Sequence, residues 1–240
     1  MIIAFMSDIH ANFPALMAAL AEAGRSDATQ VVFAGDLIGR GPHPVEVLRL
    51  IHRRGYPVIR GNVERKLLAR DPAAREEGPG GFPKKKNLGW TAQCLGTTEW
   101  EFLRSLPEEL QLEFAGRRVR VVHGSPRSDE DYIFPSLTAR ALADKLGGDR
   151  PDVLVCGHSH LPFTRAISGV RVINCGSVGS PYDGDPRGAF CLAEFAAGRP
   201  VKSRIVRFEY PIAHVEEDLL SRRVPGTDAR TYALGVRDVH

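Results

Sequence analysis

The 240-residue sequence predicts an α/β protein in which helices cover two sheets. Short apolar runs rich in β-branched or aromatic residues mostly end in glycine, as buried strands running into loops do. In the first half these runs alternate with helical patterns, which implies parallel pairing of the strands. In the last third they follow one another with turn sequences between them.

The first run is "IIAFM", and the helix after it covers Pro14 to Ala23. Pro14 suits an early helical position because the first turn leaves its N–H groups unpaired anyway. "VVFAG" is the second strand, and Pro44 to Arg54 the second helix, with Val47, Leu48 and Ile51 on one face. "YPVIRG" reads as a third strand and about Leu88 to Leu106 as a longer helical region. "VRVVHG", "VLVCG", "VRVINCG" and "AFCLAEF" supply the later strands, with turns at "ISGVR" and "PYDGDPRG". A final helix covers Ile212 to Arg222. The segment from Asp71 to Asn87 reads as a long surface loop, its three lysines solvated, and the residues from 225 to 240 read as a surface tail. No internal repeat is present, and a single domain over residues 1–240 is expected.

Hydrophobic residues at 43% and charged residues at 25% supply a sizeable core and exclude a disordered chain. The net charge of +3 comes from scattered Lys and Arg, without the basic block that marks a nucleic-acid track. Cys94, Cys156, Cys175 and Cys191 lie far apart with no CxxC pair, which excludes a zinc finger or a disulfide framework and suits a reducing compartment. The first apolar stretch ends at Asp8, too soon for a signal peptide, and no run approaches the roughly 18 residues of a membrane span. A soluble, cytoplasmic protein is expected.

Residue types that bind metals stand at the exits of these strands. "FMSDIH" gives Asp8 and His10, "FAGDLIGRG" gives Asp36, "IRGNVE" gives Asn62, "VVHGSP" gives His123, and "VCGHSH" gives His158 and His160. His158 and His160 are expected on one side of the chain, because side chains at i and i+2 of extended backbone point the same way. Taken singly, each of these residues suits a turn or a helix cap. Seven in five strand exits point to a metal centre, since the ends of strands in an α/β sheet converge on a crevice. Two carboxylates, four imidazoles and one carboxamide, with no thiolate, match manganese, iron or zinc better than calcium or magnesium. Seven ligands exceed what one open site uses, so two ions fit better than one. A Rossmann or P-loop nucleotide site is excluded, because neither GxGxxG after the first strand nor GxxxxGK[ST] occurs.

The blocks "DIH", "GDLIGRG", "GNVE", "VVHGSP" and "GHSH" resemble, in order, those of the calcineurin-like metallophosphoesterases. "INCGSVGSP" is similar to a segment of the small bacterial and archaeal members, which are associated with diesterase activity. The resemblance implies a four-layer α/β/β/α sandwich of the metallo-dependent phosphatase type. It also implies two divalent ions, Mn2+ first and Fe, Zn or Ni as alternatives. By position, Asp8, His10 and His160 would hold one ion, Asn62, His123 and His158 the other, and Asp36 would bridge them. Arg40 matches the family arginine that contacts substrate phosphate. The implied reaction is hydrolysis of a small phosphate ester or nucleotide by metal-bound hydroxide, on phosphodiesters or phosphoanhydrides. A phosphomonoesterase, a phosphoprotein phosphatase, or a non-catalytic binding module on the same fold are the alternatives.

The sequence departs from the family at Val63, where the family has a histidine that stabilises the phosphoryl group or protonates the leaving oxygen. Valine can do neither, which favours substrates with acidic leaving groups. His43, in "GRGPHP", is a candidate for the missing proton donor, and Arg127, in "HGSPRS", for a further phosphate contact. Glu64 keeps the acidic position of its block, but without a histidine beside it is left outside the site. Gly39 and Cys175 are smaller departures that remove no ligand.

Overall fold

Seventeen helices and strands are present in the computed structural model, which describes residues 1–69 and 86–237. In chain order, β1 (Ile2–Met6), α1 (Phe13–Arg25), β2 (Gln30–Phe33), α2 (Pro44–Arg54) and α3 (Asn62–Leu68) come first. Then follow α4 (Asn87–Cys94), α5 (Thr97–Ser105), β3 (Leu110–Phe114), β4 (Arg117–Val121), α6 (Ala139–Leu146) and β5 (Val153–Cys156). The chain continues through β6 (Phe163–Ile167), β7 (Val170–Asn174), β8 (Gly188–Glu194), β9 (Lys202–Phe208), α7 (Ile212–Ser221) and α8 (Arg230–Leu234).

The strands form two sheets, ordered β2-β1-β8-β9 and β3-β4-β5-β7-β6. Period-2 alternation decides how they stack. In β1, Ile3 and Phe5 face Val119, Val121, Val153 and Val155 of the second sheet, so the two sheets share a dry interface. Ala4 and Met6 point the other way, into a core built with Leu16 and Ala19 of α1, Val47, Leu48 and Ile51 of α2, and Val215 of α7. On the far face of the second sheet, Leu154 and Val172 bury Leu142 and Leu146 of α6. Helix, sheet, sheet and helix are therefore the four layers.

The parallel pairs β1–β2, β4–β5 and β5–β7 turn the carboxyl ends of β1 and β2, and of β4, β5 and β7, toward common edges of their sheets. Three expectations change. "YPVIRG" contributes only the bridge of Val58 to Phe33 rather than a strand, and Pro57 offers its carbonyl, having no N–H, to Phe33. The helical region after Leu88 is two helices, because Leu95 is extended and Gly96 starts α5 afresh. The stretch after Pro225 contains α8, tied down by the buried ring of Tyr232. Of the expected 71–87 loop, only residues 86 and 87 are described, and Asn87 begins α4. All four cysteines are free, and among the described residues no helix is long and apolar enough to cross a membrane.

Candidate metal centre

The strand-exit loops are laced together by their backbones. Asp8 and His10 donate their N–H groups to Gly35 (3.0 Å) and Asp36 (3.0 Å), and Gly179 donates to the carbonyl of Asp8 (3.0 Å). Asp8 (φ 55°), His10 (49°), Asp36 (52°), His158 (62°) and His160 (58°) are all left-handed. For a residue with a Cβ this costs about 1–2 kcal/mol each, and such strain collects where a site over-determines its backbone. The left-handed turns also correct the expectation for "HSH". His158 and His160 are not on extended backbone, and they diverge into different groups of side chains.

Each group draws on both sheets. Asp8 and His10, after β1, meet His160, after β5, while Asp36, after β2, meets His123, after β4, and His158. Within each trio the ligand atoms lie within 4.8 Å of one another. Asp36 sits between the trios, with Oδ1 3.4 Å from Nε2 of His123 and Oδ2 3.7 Å from Nε2 of His10. Gly61 and Gly157 permit this closeness, because a Cβ on either would collide with the carboxylates of Asp36 and Asp8.

The chemistry of these atoms fits cations. Nδ1 of His10, His123 and His160 faces the carbonyls of Ile38 (3.2 Å), Ala34 (2.8 Å) and Ser180, which fixes a proton there and turns Nε2 toward the centre. Nε2 of His10 and Nε2 of His160 then confront each other at 3.2 Å, and Oδ1 of Asp8, buried and without a hydrogen bond among the described residues, stands 3.2 Å from the latter. Lone pairs converging without a donor are repulsive unless a positive ion lies among them. Asn62 has the same choice. With its oxygen inward it faces Nε2 of His123 (3.1 Å) as a ligand would; turned over, its amide would donate to His123 and to Nδ1 of His158 (3.2 Å). A metal bound beside it would select the inward oxygen.

Glu64, left outside the site by the sequence, organises it. Its fully buried carboxylate accepts from Leu37 (2.8 Å) and Ile38 (3.1 Å) on one oxygen, and from Asp36 (3.0 Å) and Gly61 (2.7 Å) on the other. It therefore clamps the β2 loop to the start of α3, which carries Asn62. The signal was a glutamate three residues after a glycine N-cap. Glu64→Gln is expected to strand two backbone N–H groups and cost about 2–4 kcal/mol. Unchanged denaturant unfolding in that variant would remove this role.

In the metal-free protein, burial pushes the His10 imidazole down to about 3, against the pull of Asp36 and Asp8. At His123 burial acts the same way, but the charge and hydrogen bond of Asp36 outweigh it and lift the imidazole to about 10. Imidazole binds metal only when neutral, so a metal taken up below that value must displace the His123 proton. Loading at pH 8 is expected to release about one proton from His123, and occupancy to fall as pH is lowered. Calorimetry in buffers of different ionisation enthalpy reads the proton, and no release would take His123 out of the ligand set.

A cavity of about 1260 Å³ opens over both trios. Arg40 lines it, its guanidinium 5.1 Å from the Tyr182 ring, which in turn stacks on His160 at 3.9 Å. The backbone carbonyl of Arg40 accepts from Asn87 (3.1 Å) and Thr227 (2.7 Å), and no ion pair among the described residues engages its side chain. His43 does not reach the cavity. It precedes α2, whose Pro44 start turns the ring toward Asp218 of α7, with Nε2 2.8 Å from Oδ2. Arg127 is exposed and does not line this cavity; it lines another of about 250 Å³ with Arg60, Arg65 and His123, on the far side of that imidazole.

The Calcineurin-like phosphoesterase superfamily domain matches residues 1–198. The chain belongs to the calcineurin-like phosphoesterase superfamily. A metallophosphoesterase from Sphaerobacter thermophilus is similar in structure, with a TM-score of 0.81 and 28% identity over 98% of this chain and 99% of that one. A hypothetical protein from Pyrococcus horikoshii OT3 shares the fold, with a TM-score of 0.82 and 23% identity over 98% of each chain. An uncharacterized protein of Methanocaldococcus jannaschii is 28% identical over 240 residues, 93% of each chain. Membership of the calcineurin-like superfamily implies divalent metal ions, and the two trios are candidate places for them. Residues beyond the match also shape the cavity, since Thr227, Asp228 and Thr231 line it.

Proposed function

We propose that the chain is a dinuclear, metal-dependent phosphoesterase that hydrolyses phosphodiesters or nucleotide phosphoanhydrides. The observation that carries this is the placement of Asp36, one oxygen toward each trio. Asp8, His10 and His160 would hold one ion, Asn62, His123 and His158 the other, and Asp36 both. When bound, two divalent ions of this kind, Mn2+ first, supply Lewis acidity toward phosphoryl oxygens and a hydroxide nucleophile near neutral pH.

The chain's own residues do the rest. Arg40, held at the cavity wall, offers two parallel N–H donors to phosphate oxygens. Glu64 fixes the loop of Asp36, and Nδ1–H bonds to carbonyls fix three imidazoles. Val63 lines the cavity with Leu88 and supplies no proton, and His43 faces Asp218 instead. Leaving groups that depart without protonation are therefore favoured, which selects acidic diesters and phosphoanhydrides over alkyl monoesters. The free cysteines support a reducing, cytoplasmic setting.

The test is to strip the protein of metal, restore manganese, and compare an aryl phosphodiester, a dinucleoside polyphosphate and an alkyl monoester. Manganese-dependent turnover, with the alkyl monoester slowest, is expected. No turnover with two ions bound would leave a non-catalytic binding role.

A further inference from the structure

We propose that Tyr132 and Phe134 form a stacking platform for the nucleobase of a nucleotide substrate, a proposal that rests on the phosphoesterase reading above. The segment "DYIFP" alternates: Ile133 is fully buried under the second sheet, so Tyr132 and Phe134 on either side of it face outward together. Their rings are stacked, with centroids 5.3 Å apart and planes 6° from parallel, and they are 42% and 43% exposed. Both line the large cavity. The other large apolar side chains exposed among the described residues, Met1, Met17, Leu220 and Leu234, do not.

The platform begins at the candidate centre. Tyr132 stacks on His158 at 4.5 Å, so three rings run outward from a predicted ligand to the open cavity. Its backbone is held in place. Asp131 pairs with Lys145 and accepts from Ser125 (2.6 Å), and the carbonyl of Ile133 accepts from Asn174 (3.3 Å). A fixed aromatic surface loses little freedom when a ring settles on it. A phosphate at the centre places its organic substituent in this cavity, and a planar, largely apolar ring matches exposed parallel rings better than an alkyl chain or a sugar does. Base–aromatic stacking is tolerant of base identity, so the platform selects nucleotides as a class rather than one base.

The probes are AMP and ribose 5-phosphate, which share the sugar phosphate and differ by the base, titrated calorimetrically into the manganese-loaded protein. AMP is expected to bind about tenfold more tightly. Phe134→Ala is expected to remove most of that preference and Phe134→Trp to keep it. Phe134 is the informative position because Tyr132 touches His158, and metal content measured in each variant checks the centre. Equal affinities in the unaltered protein, or a preference untouched by Phe134→Ala, overturn the platform. Because the readout is binding, a base preference without turnover defeats the hydrolase reading alone, and turnover without a base preference defeats the platform alone.

Discussion

Asp36→Asn is expected to lower manganese-dependent kcat/KM by on the order of a thousandfold and to reduce the bound metal from two ions toward one. Asp36 is placed with one oxygen toward each trio, and a neutral amide cannot offer two anionic oxygens. Losing a group one step further from a metal already costs about 10- to 100-fold, and removing a shared ligand costs more. The fold is expected to survive, since asparagine keeps an oxygen to accept from the N–H of Val63, now 2.9 Å from Oδ1. Metal analysis and steady-state kinetics together decide the matter. Two ions bound with unimpaired turnover would mean that Asp36 does not bridge.

Val63→His is expected to raise kcat on alkyl esters by about tenfold to a hundredfold and to leave aryl diesters nearly unchanged. A well-positioned general acid is worth about 10²- to 10⁴-fold, and a histidine grafted without supporting contacts recovers the lower end. Val63 follows the candidate ligand Asn62, lines the cavity, and has Leu88 beside it as a further apolar lining group. His43 does not replace the missing donor, because it is committed to Asp218. A uniform change on both ester types would show that protonation of the leaving group does not limit this enzyme.

All seven candidate ligands were legible because each follows an apolar run, and strand exits are where an α/β sheet presents its chemistry. The helix from Pro44 to Arg54 was equally clear, since Val47, Leu48 and Ile51 repeat at helical spacing and are all buried. Other features depend on contacts remote in sequence. Glu64 looked idle beside a missing histidine, yet its carboxylate gathers four backbone N–H groups, three of them from a loop about 27 residues away. His43 and Arg127 have the right chemistry in the right loops, but neither lines the large cavity: α2 turns His43 to Asp218, and Arg127 lies in the smaller cavity beyond His123. The left-handed turns at His158 and His160 leave no trace in composition, because only the surrounding loops enforce them. The Tyr132–Phe134 pair shows in the sequence only as an alternation around Ile133, since it belongs to no regular strand.

Because each trio takes side chains from both sheets, an ion held in either place would act as a rivet through two plates. Its binding energy becomes cohesion between the sheets, about 2.7 kcal/mol for one site at a hundred times the dissociation constant. The spacing of the two trios is then governed by how the plates are seated. Phe5 and Val155, buried at their joint and absent from the cavity wall, help set that spacing. A small slip along the joint would shift the two halves of each trio at once, so the chemistry at the surface is gauged by the fit of the interior.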